Sequence, residues 1–106
     1  MAIQHVVLSK FKADVDEAGQ AKIFNIARGY LATIPQAKNA AVGPPINSRL
    51  SRGYTYGMVV TFDDSTALGA YLQHPQHLAL IQALNPYTEG MMVYQIEVPD
   101  GVMSKL

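Results

Sequence analysis

The feature that most limits how this chain can fold is its first run, Ile3–Phe11 (IQHVVLSKF), in which neither alternate set of residues is cleanly polar. Successive side chains of a β-strand point to opposite faces. Ile3, His5, Val7, Ser9 and Phe11 would therefore share one face, and Gln4, Val6, Leu8 and Lys10 the other. The run is short and rich in β-branched residues, so it reads as a strand. A strand apolar on both faces needs cover on both sides. The 106 residues carry only two stretches of helical pattern, enough for one side. The other face is expected to need a second subunit. Which face His5 takes is left open by a strand this evenly apolar.

The remaining elements follow in order. Asp14 and Glu17 form a D-x-x-E helix start, a capping-box-like signal. Phe24, Ala27, Leu31 and Ile34 then recur at helical spacing, flanked by Ile23 and Tyr30, with Lys22, Asn25 and Arg28 off the stripe. Pro35 stops this helix. Lys38–Val42 is a short strand ended by Gly43-Pro44-Pro45, and the polar connection over 47–53 carries Arg49 and Arg52. Tyr54–Phe62 is the strongest strand, rich in aromatic and β-branched residues. Its Tyr54/Tyr56 stripe reads as dimer or core packing, and its Thr55, Gly57, Val59, Thr61 face as one a helix or ligand could approach closely. Asp63-Asp64-Ser65 offers caps for a second helix with Ala67, Leu68, Tyr71 and Leu72 inward. Pro75 interrupts it, and Leu78, Ile81 and Leu84 continue the pattern to Asn85-Pro86. Met91–Val98 is the last strand, and 99–106 a C-terminal tail of a single domain spanning 1–106.

Strand, helix, strand, strand, helix, strand is the ferredoxin-like βαββαβ plan, an α+β fold with a four-stranded antiparallel sheet and helices on one face. The bare apolar sheet face predicts a homodimer stacked sheet on sheet. Composition removes several functions. Lys and Arg together number 8, as do Asp and Glu, so no electrostatic footprint exists for nucleic acid or an anionic membrane. With no cysteine, disulfides, thiolate nucleophiles and cysteine zinc sites are excluded. The N-terminal residues lack a basic segment followed by an apolar run, and no stretch approaches the ~18 apolar residues of a membrane span, so a cytoplasmic protein is expected.

The chemistry concentrates in Tyr71-Leu72-Gln73-His74-Pro75-Gln76-His77. Together with the His5-Val6-Val7-Leu8-Ser9-Lys10-Phe11 opening, Ile34-Pro35, Val42-Gly43 and Gly53-Tyr54, this segment resembles the stress-responsive A/B barrel (Dabb) family over about Ile3 to Val98. The resemblance implies a dimeric α/β barrel. Family activities are uneven: many members have none established, and some plant members are stress-associated homo-oligomers. One plant member closes a polyketide by intramolecular aldol condensation, using positions that match His5, Tyr71 and His77 here. By that likeness His77 would remove a proton alpha to a carbonyl, Tyr71 would donate to the carbonyl or enolate oxygen, and His5 would assist. His74 and Tyr30 are the candidate substrate-binding residues.

The residues themselves support two readings. Pro75 suits the first position of a helix, which puts His74 at the cap and His77 in the first turn. The helix dipole then favours neutral imidazole, the form a general base needs. Alternatively, His74 and His77 simply cap the helix, and Tyr71 is a core aromatic. Three histidines could also hold zinc, but no carboxylate stands at ligand spacing, so neither metal nor cofactor is expected. The choice lies between a small-molecule enzyme or binder and a non-catalytic oligomer.

Overall fold

In a computed structural model that describes residues 1–99, β1 (Ala2–Phe11) runs through the middle of a four-stranded sheet. It pairs antiparallel with β3 (Tyr56–Phe62) on one side and β4 (Thr88–Val98) on the other, and β2 (Lys38–Gly43) lies outside β3. Burial alternates strictly along β1, and His5 falls on the buried face with Ile3, Val7, Ser9 and Phe11. All helices pack there. The sequence left this choice open; the helices made it. From position 100 onward the expected tail lies outside the described residues.

α1 (Glu17–Ala32) buries Ile23, Phe24, Ala27 and Leu31, the stripe read from the sequence. Its cap is Asp16 rather than Asp14: extended Asp16 accepts the Gly19 N–H at 2.8 Å, and Glu17 becomes the first helical residue. A cap must stand three residues before the donor it satisfies, and Asp16 meets that spacing from an extended backbone. Arg28 donates to the Val42 carbonyl and pins α1 to the edge strand β2. Phe24 stacks on Tyr56 with centroids 5.5 Å apart and planes at 10°, and Phe11 meets both edge-on.

The second helical segment is two helices. α2 (Ser65–Gln73) is capped by Asp64, and α3 (Pro75–Leu84) by His74. His74 has φ −67° and ψ 136°, extended as the residue before proline prefers, so the helix cannot run through it. The break turns the second stripe. Leu68, Tyr71, Leu80 and Leu84 point inward, while Leu72 and Leu78, both expected inside, are exposed.

Tyr54 and Thr55 precede β3, whose inner face is Tyr56, Met58, Val60 and Phe62. The face of Gly57, Val59 and Thr61 carries no helix, contrary to the close approach its small residues suggest. Larger apolar side chains won, because burying Phe62 and Tyr56 stabilises by roughly 1.5–3 kcal/mol each. β4 starts at Thr88, three residues earlier than its apolar run. A one-residue shift against β1 between Leu8 and Lys10 marks a bulge, where Gly90 has φ 64°, a conformation glycine adopts at no steric cost.

Candidate active site

His5, Tyr71 and His77 come from β1, α2 and α3 and meet in one place. The Tyr71 ring lies 5.7 Å from His5 and 4.4 Å from His77, centroid to centroid, and 4.7 Å from Phe62. Tyr71 has no exposed surface, and His5 retains 3 %. The three line a cavity of about 150 Å³ whose other walls include Val7, Leu80 and Leu84. Its rim on the β4 side is Met91, Val93 and Gln95. The β1–β4 register turns Val93 and Gln95 toward the helices, opposite Val7 and His5, yet both stay exposed. The cavity is therefore open to solvent at the edge of the sheet.

Hydrogen bonds fix the two imidazoles differently. His77 Nδ1 is 3.1 Å from the Leu72 carbonyl oxygen, which can only accept, so Nδ1 carries the proton and Nε2 keeps its lone pair. Gln95 donates its amide N–H to His5 Nδ1 at 3.2 Å, which leaves the His5 proton on Nε2. One ring offers a base and the other a donor. Burial lowers the pKa of His77, against an opposing pull from the Leu72 bond, and lowers that of His5, with the charge of His77 acting in the same direction. Both are held below the ordinary histidine value of 6.5, so the neutral forms prevail at pH 7. Burial is the main cause for both rings.

Burial also pushes Tyr71 up to about 12, so its hydroxyl stays protonated. That hydroxyl is buried and has no hydrogen-bond partner among the described residues. A buried hydroxyl of this kind forgoes roughly 1–3 kcal/mol that a ligand oxygen would restore.

Residues 3–98 match the family described as the Stress Responsive A/B Barrel Domain, Dabb. The chain belongs to this family. Among relatives of the Dabb chain, olivetolic acid cyclase of Cannabis sativa is 25% identical over 95 residues, covering 89% of this chain and 94% of that one. A dimeric ferredoxin-like protein of unknown function from Thermobifida fusca aligns with TM-score 0.81 at 23% identity, over 92% of each chain. Hydroxynitrile lyase from Passiflora edulis aligns with TM-score 0.80 at 16% identity, over 93% of this chain and 94% of that one. The two structural likenesses establish the ferredoxin-like fold.

Within this Dabb fold the other sequence candidates stand apart from the cavity. His74 Nδ1 accepts the Gln76 N–H at 3.1 Å and caps α3, the structural role weighed for it from the sequence. Tyr30, named as substrate-binding, is partly buried against the core and does not line the cavity. Arg49 and Arg52 are exposed on the β2–β3 loop, away from the cavity mouth. With His74 engaged elsewhere, the lining holds two imidazoles and no carboxylate among the described residues. Sequence reasoning missed Gln95 and took Tyr56 for packing. The two-residue period of β3 places Tyr56 beside Met58 and Phe62, but no local signal reports that Gln95 faces His5.

Proposed function

We propose that this Dabb protein is a homodimer that binds a small, largely apolar carbonyl compound and moves its alpha proton by general acid–base chemistry. The observation that carries the reading is that His77, whose Nε2 keeps its lone pair, and Tyr71, whose hydroxyl has no partner among the described residues, line a single solvent-connected cavity. His77 is the base. Tyr71 donates to the carbonyl oxygen and then to the enolate. His5, protonated on Nε2 through Gln95, offers a further donor in the cavity lining. The likeness to olivetolic acid cyclase supports this class of chemistry, at an identity that leaves the substrate open. A positioned base of this kind supplies about 10²–10⁴-fold.

The test is exchange of alpha protons for deuterium in small ketones and aldehydes, followed by NMR in D₂O. His77→Gln should abolish catalysed exchange, and Tyr71→Phe should slow it by roughly 10²-fold, the loss typical of one oxyanion donor. Exchange at the solvent rate with every carbonyl compound offered would sink the enzymatic reading. The second reading, a non-catalytic oligomer, is favoured by the bare apolar sheet face of Val59, Met92, Tyr94 and Ile96. It predicts that His77→Gln leaves the protein's function untouched, whereas substitutions on that face abolish it.

A further inference from the structure

We propose that Tyr56 is a second oxygen-binding hydroxyl of the cavity, acting with Tyr71 on one carbonyl oxygen of a monocyclic or short-chain ketone or aldehyde. The inference rests on the reading of the cavity as a ligand site, and adds a residue and a size class to it.

Tyr56 is 1 % exposed and lines the same cavity as Tyr71. Its ring is clamped between stacked Phe24 and edge-on Phe11, so the hydroxyl has a fixed direction. Among the described residues the hydroxyl has one partner, the Met58 thioether sulfur at 3.8 Å. Sulfur of this kind is a weak acceptor, easily exchanged for a better one. The two phenols also feel each other: charge on Tyr71 would raise the pKa of Tyr56, whose main upward cause is burial. Two tyrosines with buried hydroxyls, one with no acceptor and one with a poor acceptor among the described residues, thus line one cavity.

Both stay protonated at neutral pH and so are donors. A carbonyl or enolate oxygen has two lone pairs and takes two such bonds, the arrangement that stabilises developing negative charge in water-poor sites. A cavity of about 150 Å³ is of the size that holds a single benzene ring. The ligand is accordingly one ring or a short acyl chain carrying its carbonyl inward.

Acetophenone and α-methylstyrene test this, since they share a shape and differ in C=O against C=CH₂. Dissociation constants from amide chemical-shift titration of the wild-type protein should favour the ketone by about tenfold, the scale of one to two hydrogen bonds. Tyr56→Phe and Tyr71→Phe should each cut that preference by about three- to fivefold while leaving α-methylstyrene binding unchanged. Met58→Leu removes the sulfur acceptor and should keep or raise the preference. A wild-type ratio near one, an undiminished ratio in Tyr56→Phe, or a ratio lowered by Met58→Leu overturns the inference. His77→Gln separates the two ideas: it should lose alpha-proton exchange and retain the ketone preference. Exchange without ketone preference defeats the inference alone, and binding of neither probe together with solvent-rate exchange for every carbonyl compound defeats both.

Discussion

At the scale of single residues, the site depends on which nitrogen of each imidazole holds the proton. His77 is decided by a backbone carbonyl and His5 by Gln95. Replacing Gln95 with glutamate sets a carboxylate against His5 Nδ1, which then must donate. Long-range ¹H–¹⁵N spectra should show the His5 proton moving from Nε2 to Nδ1 and its pKa rising, with His77 unchanged. An unaltered His5 pattern would remove Gln95 from the account. Both histidines are depressed when folded, while the unfolded chain titrates near 6.5. As pH falls through 6.5 the unfolded state takes up more protons than the folded one, so stability falls with it and is fully present above that value. Tm at pH 5 should lie below Tm at pH 7.5, and His77→Gln should flatten the dependence. An equally steep curve in that variant would place the acid sensitivity elsewhere.

At the scale of elements, the break between α2 and α3 matters most, because it aims Tyr71 and His77 at the same space. Pro75 imposes it by holding His74 extended and starting α3 without a donor to satisfy. Pro75→Ala should lower stability by about 0.4–1 kcal/mol through a freer unfolded chain. Urea unfolding measures this, and hydrogen exchange in the first turn of α3 should quicken. Asp64 holds the other end, its carboxylate accepting the Ala67 N–H at 2.9 Å. Asp64→Ala should cost about 1 kcal/mol and loosen the helix that carries Tyr71. The proline and the Asp64 cap were readable from local sequence, whereas the α1 cap was read two residues early, at Asp14 instead of Asp16. The inward turn of Leu80 in place of Leu78 was not, because the stripe was projected through the break as though the helix were continuous.

At the scale of the molecule, the helices cover one sheet face, and β4 stays exposed along most of its length. Register places Met92, Tyr94 and Ile96 on the open face with Leu8, Val6 and Gln4. Tyr94, 63 % exposed, is the largest side chain of that surface. A patch of this kind in water predicts burial against a second copy. If two copies meet there, Tyr94→Glu together with Ile96→Glu should leave a monomer where the unaltered chain is a dimer, as light scattering would register. An unchanged mass would show that the copies meet elsewhere, or not at all.

The sequence by itself determined what depends on near neighbours. The order of elements, the alternating faces of β1 and β3, the α1 stripe and the kink at Pro75 all follow from backbone preference and side-chain period within a few residues. The tertiary structure alone decided that His5 turns toward the helices, that Gln95 meets it across a separation of 90 residues, and that Tyr56 joins the cavity while Tyr30 does not. Those outcomes depend on strand register and on which face the helices choose. Both are settled by the summed burial of distant apolar side chains, and no local pattern encodes that sum.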